Sequence, residues 1–190
     1  MLNSLSQYFE KNPISRFVII FICTYFILDY FSVFYMGITS PGNYYSSFLN
    51  NNLNYVRGLR HFLLYTTSTI LEFMGYRVTT TDTMLHAYNV GGFNIVYSCL
   101  GFGLMSFLIA FVIAYPKPLK SKLIFAFFGL IIIQVLNILR LILITLYWTK
   151  SIFAEKINHH TLFNVILYSV LLITIFLWVN SNDKPITDKK

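Results

Sequence analysis

Charge is what this chain has least of. Of its 190 residues only 11% are charged, while 56% are hydrophobic. A soluble domain keeps far more charge on its surface, so a water-soluble globular fold is excluded at the outset. Acids are scarcest, seven against 14 Lys and Arg. No basic stripe with interleaved stacking aromatics stands apart from the apolar runs, so the positive excess reads as membrane topology and nucleic acid is not an expected partner. Cysteine is nearly absent too. Cys23 lies midway along one apolar run and Cys99 at the start of another, so they sit at different depths and no disulfide is expected. Internal repeats and low-complexity segments are lacking.

What is present is a series of long apolar runs. Stretches of about 18 or more such residues with few charges read as transmembrane helices. Four spans are expected, at 14–36, 100–115, 123–148 and 161–179, in one all-α polytopic membrane domain covering 1–190. The first is entered from Lys11 and Arg16, is too long for a signal-peptide core and is followed by no small-x-small cleavage site. It reads as an anchor that stays. Between the first two spans, 37–98 forms a loop that opens with the Gly-, Pro-, Ser- and Asn-rich "GITSPGNYYSSFLNNNLNY". Within it, 61–76 is apolar but carries Glu72 and is too short to cross a ~30 Å core comfortably, so it reads as an interfacial or re-entrant helix. Residues 77–98 are rich in Thr, Val and Tyr, with Gly91-Gly92 between two strand-like stretches, which predicts a small β-hairpin.

The positive-inside rule then sets the orientation. With the N-terminus in the cytoplasm, Lys11, Arg16, Lys117, Lys120, Lys122, Lys184, Lys189 and Lys190 all fall inside. Both termini are cytoplasmic, and 37–98 and 149–160 lie outside an inner (cytoplasmic) membrane. A full crossing by 61–76 would force the triple-lysine loop outside.

Sorting the polar residues by depth brings three of them to one level. Cys99 marks the outer end of the second span. Arg140 follows the start of the third by about 18 residues, roughly 27 Å of helical rise, which carries it near the outer surface. His159 and His160 stand just before the fourth. Each has an ordinary reading. A membrane cysteine packs as a small residue, here in line with Gly103, Ser106 and Ala110; an arginine near a helix end snorkels; an interfacial histidine idles. Arg140 resists its ordinary reading, because Asn137 and Gln134 precede it by three and six residues and form a polar stripe on an Ile/Leu helix. Such a stripe faces protein or a water-filled cavity. Asp29 is either a counter-ion for Arg140 or the point where the first span meets water. His160, Asn164 and Tyr168 recur every four residues, as support for the histidine or as interhelical hydrogen bonders. Adjacent histidines rarely ligate one ion together, so a metal held by His159, His160, Cys99 and Asp29 is not expected, nor is any cofactor.

The chemistry of the three is coherent. A thiolate is the attacking form of cysteine, and a helix N-terminus, an imidazolium and a guanidinium all favour it. A histidine takes the thiol proton and later protonates a leaving amine. An arginine holds a developing oxyanion or orients the carbonyl. Together they describe acyl transfer through a thioester.

"SCLG" at 98–101, "NILR" at 137–140 and "HHTLFN" at 159–164, in that order and each near the outer edge of successive spans, resemble the exosortase/archaeosortase family. The resemblance covers roughly 85–180. It implies a membrane cysteine protease or transpeptidase acting on proteins that end in a short motif, a transmembrane helix and a basic tail, and passing them to an acceptor. It implies Cys99 as nucleophile, Arg140 as its arginine partner and His160 as the histidine, with His159 the alternative. Membrane lipid and tailed substrate proteins are the expected partners. A scaffold that binds a partner through the same pocket is the competing reading, though it has no need of a co-located Cys, Arg and His. A small transporter ranks last, because the inner halves of the spans carry almost no charge.

Overall fold

In the computed structural model the described residues are 12–40, 45–147 and 159–181, with side chains from 163 onward in the last of these. Lys11, Lys184, Lys189, Lys190 and the 149–158 part of the expected outer loop lie outside them.

The longest helices follow from the apolar runs. Helix α1 (Pro13–Thr39) has proline in its first turn, where the missing N–H costs nothing, and ends where Ser40 turns extended. It is apolar all round, and only 6% of its most apolar window is buried within the protein. An apolar helix left this bare is stable only against lipid. Phe17, Phe21 and Tyr25 dock edge-on against Phe107 and Phe111 of the neighbouring helix α4 (Phe102–Ala114). Helix α5 (Leu119–Tyr147) is the central element, packing on α4, on α3 (Tyr55–Phe73) and on α6 (His159–Val179). Its approach to α4 depends on Gly129, where a Cβ would meet the Leu108 side chain at 2.6 Å.

Helices α1 and α5 are each long and apolar enough to cross a bilayer. Helix α4 is equally apolar, but its 13 residues rise only about 20 Å.

Outside the bundle a short helix α2 (Ser47–Asn52) leads into α3. Helix α3 begins six residues before the expected 61, because Asn54 caps it by accepting the Arg57 backbone N–H at 2.8 Å. It lies on one face. Val56, Leu63, Leu64, Thr67 and Leu71 are buried, while Phe62 and Tyr65 are exposed.

The hairpin expected at 77–98 is instead a three-stranded antiparallel sheet, β1 (Val78–Thr80), β2 (Met84–Ala87) and β3 (Gly91–Asn94), in the order β1-β2-β3. Gly91-Gly92 is not its turn. Gly92 pairs with His86, and a Cβ there would meet the Leu85 carbonyl oxygen at 2.6 Å, so this glycine permits close approach of β3 to β2. The turn before it is made by Asn89, whose φ of 61° is one that asparagine tolerates.

Two apolar clusters result. One lies within the bundle, with Leu104, Leu108, Ile133, Leu171 and Trp178. The other fastens α3 and the sheet onto the ends of α4 and α5, and it contains Cys99 and Leu100. At the opposite end Lys117 is 3% exposed. Its ammonium donates to the Trp178 carbonyl and, at 2.7 Å, to the Ser181 hydroxyl, and it lies 4.9 Å from the Trp178 ring, so a buried cation caps the C-terminus of α6.

Candidate active site

Cys99 stands in a 3-10 turn, Tyr97–Cys99, that links the sheet to α4, not in the first turn of α4 itself as its sequence position implied. The chain then passes through Leu100 to Gly101, whose φ of 78° makes it the left-handed N-cap of α4. Two requirements fall on Gly101. Its backbone conformation disfavours a side chain, and a Cβ would meet the Asn137 amide nitrogen at 2.6 Å. Asn137, 1% exposed, donates to the Leu100 carbonyl at 3.4 Å. The polar stripe on α5 thus holds the cysteine turn by its backbone. One turn earlier on the same face, the Gln134 amide reaches Met105 Sδ of α4 at 3.2 Å.

Arg140, three residues past Asn137, continues the stripe. Its Nη2 is 4.0 Å from Cys99 Sγ and its Nη1 is 3.5 Å from Asn164 Oδ1 on α6. Both are long contacts, and their value lies in what they join: the cysteine turn, α5 and the start of α6 meet at one guanidinium. Arg140 is 3% exposed and Cys99 5%. The cation does not snorkel; it is directed inward to the sulfur. The ring of Phe163 lies 6.0 Å away, at the limit of a cation–π contact.

His159 and His160 open α6, one turn before Asn164, and their side chains lie outside the described residues. Tyr168 is 43% exposed, so the Asn164 side of α6 looks partly outward. Asp29 is half-buried, and the described residues show no ion pair between it and Arg140. It faces Gly103, where a Cβ would lie 3.9 Å from Oδ1, near the positive end of α4.

Sequence reasoning overlooked three groups. The Leu100 carbonyl and the close packing at Gly101 depend on Asn137, which folds back onto them from α5. Tyr97, beside the cysteine, stacks on Phe102 at 5.3 Å, and Phe102 meets Tyr55 of α3. The Tyr97 hydroxyl is pushed above the ordinary phenol range, first by burial and then by the charge of Asp29, so it remains protonated. Its position two residues before Cys99 was the one available signal.

A buried thiol facing a buried guanidinium, on a bundle with two bilayer-length apolar helices, defines a helical membrane protein with a cysteine-centred polar site. The family model described as Transmembrane exosortase (Exosortase_EpsH) matches residues 16–177, most of the chain, and the protein belongs to that family. No curated protein and no solved structure matches it.

Proposed function

We propose that the chain is a membrane-embedded cysteine protease or transpeptidase that cleaves C-terminal sorting signals, made of a short motif, a transmembrane helix and a basic tail. The observation that carries this reading is the approach of Arg140 to Cys99, 4.0 Å apart and both buried. A buried cation is costly unless a negative charge meets it, and a thiolate is such a charge.

The reaction runs in two halves. Cys99 Sγ, its proton taken by His160, attacks the scissile carbonyl. The C–S bond forms as the carbonyl π electrons move to oxygen, and the Arg140 guanidinium stabilises that oxyanion. Collapse breaks the C–N bond, and His160 returns its proton to the leaving amine, which departs with the transmembrane tail. An acceptor nucleophile, its proton taken by His160, then attacks the thioester carbonyl; its bond to carbon forms, the C–S bond breaks, and the proton passes from His160 to sulfur to restore the thiol. His159 is the alternative base. Asn137 fixes the nucleophile's turn and Asn164 steadies the guanidinium. Four crossings, both termini in the cytoplasm and the Cys99 end outside belong to the same proposal.

The test is processing of a tailed substrate by the Cys99→Ala variant. Removing one sulfur from a turn leaves the bundle intact, so the variant accumulates at normal levels with processing abolished. Full processing by Cys99→Ala would return the chain to the scaffold reading.

A further inference from the structure

At the same end of the bundle as Cys99 lies a second polar site that the reaction above does not use. A cleft of about 270 Å³ runs between the end of α1 at Thr39, the first turns of α3 and the turn between β1 and β2. Three basic side chains of α3 line it, Arg57, Arg60 and His61, against a single acid, Asp82. Residues three and four apart share a helix face, so the spacing gathers these cations by design of the helix. Asp82 is already shared, 3.8 Å from Arg57 and 3.7 Å from His61, distances too long for good hydrogen bonds. Arg60 is left over. Its Nε is buried and meets no hydrogen-bond partner among the described residues. A guanidinium held against a cleft with an unmet donor calls for an anion.

We propose that this cleft binds a phosphate group, that of a phospholipid head at the membrane surface. Two arginines one helical turn apart offer donors to several oxygens at once, which suits phosphate. The cleft is smaller than the ~300–1,000 Å³ of sites that enclose a whole drug-sized ligand, so it admits a headgroup and not the chains. Room for the apolar part lies on both sides. A wider cleft of about 590 Å³ shares His61 and Asp82 and is bordered by Phe62, Leu64 and Tyr65. On α1, Val33, one turn before the cleft's Met36, is 50% exposed. Asp82, 76% exposed on its turn, is the carboxylate the phosphate displaces.

The full-length protein, purified in a neutral detergent, is tested for retained lipid by native mass spectrometry. The probes are phosphatidylglycerol, a diacylglycerol galactolipid without phosphate, and inorganic phosphate alone. Phosphatidylglycerol is expected to bind and the galactolipid not. Arg60→Gln is expected to weaken phosphatidylglycerol about tenfold or more, and Asp82→Asn to tighten it, an opposite change that a merely unfolded variant does not give. Inorganic phosphate binding alone as tightly as the lipid assigns the same site to soluble phosphate. Equal retention of the galactolipid, or phosphatidylglycerol binding that neither substitution alters, overturns the proposal. Neither substitution touches the Cys99 site, so loss of lipid with sorting intact and loss of sorting with lipid intact are separate results.

Discussion

Gly101 is the residue at which the candidate site is easiest to disturb without touching a reacting atom. Alanine there must adopt φ of 78°, costing about 1–2 kcal/mol, and its Cβ must also displace Asn137, which lies at 2.6 Å in the present structure. Gly101→Ala is therefore expected to lower the melting temperature and to slow processing. In a double-mutant cycle Asn137→Ala should recover the part due to the clash but not the part due to φ; strict additivity in that cycle refutes the contact as the cause. Arg140 gives the complementary test. Arg140→Ala should slow processing by about 10²–10³, the usual effect of losing an oxyanion donor. Arg140→Lys should restore little of it, because an ammonium cannot face Cys99 and Asn164 at once. Near-complete rescue by lysine would mean that charge alone matters. The pairing of Cys99 with Arg140 was legible because helical rise is fixed, so counting residues from a span's end gives depth. The turn that presents Cys99 was not legible, since its shape depends on a contact from Asn137 on another helix.

At the scale of elements, length and apolarity are one-dimensional properties, and α1 and α5 could be read directly from them. The sheet could not. Gly91-Gly92 looks like a turn in sequence, yet Gly92 serves close strand approach, and the weaker signal of Asn89 makes the turn instead. Lys117 was also misread in part. The sequence placed it only as one of three clustered lysines expected to set the topology, whereas its ammonium is buried and closes the end of α6. Lys117→Met keeps the packing volume and leaves Lys120 and Lys122 to hold the topology. It removes the charged donor from the Trp178 carbonyl, which keeps the Ser181 hydroxyl at 2.7 Å and the Ser181 backbone N–H at 3.2 Å, a loss of about 1.5–3 kcal/mol for a hydrogen bond from a charged group. The expected result is fraying of α6 near Trp178, which stacks on Phe125 at 4.4 Å. In a Trp148→Phe background, Trp178 fluorescence should shift red and its thermal transition should move down. An unchanged spectrum and midpoint would show that the cap contributes nothing.

For the whole molecule the decisive question is which end faces the cytoplasm. The contacts sort the charges into two groups. Phe17, next to Arg16 at the start of α1, meets Phe111 and Tyr115 at the end of α4, and Lys117 meets the end of α6, so Arg16 and the lysines at 117, 120 and 122 share one end of the bundle. Tyr35 near the end of α1 packs at a tilt on Tyr55, which meets Phe102, three residues after Cys99, so Arg57 and Arg60 lie at the other. Both ends are therefore basic, and a bare count decides less than position. The rule weighs residues in short loops close to span ends. Lys117 occupies such a loop, between α4 and α5, with Lys120 and Lys122 in the first turn of α5, whereas Arg57 lies in the long 37–98 region and is partly offset by Asp82. The lysine end is expected in the cytoplasm and Cys99 on the far side, where a substrate already threaded through the membrane would present its motif. Single cysteines at Ser47 and at Lys120, in a background with Cys23 and Cys99 replaced, report this with an impermeant maleimide on intact cells. Position 47 should label, and position 120 only after permeabilisation. Labelling at 120 but not at 47 would invert the molecule, put Cys99 and Arg140 on the cytoplasmic side, and remove the ground for a sorting enzyme that acts outside.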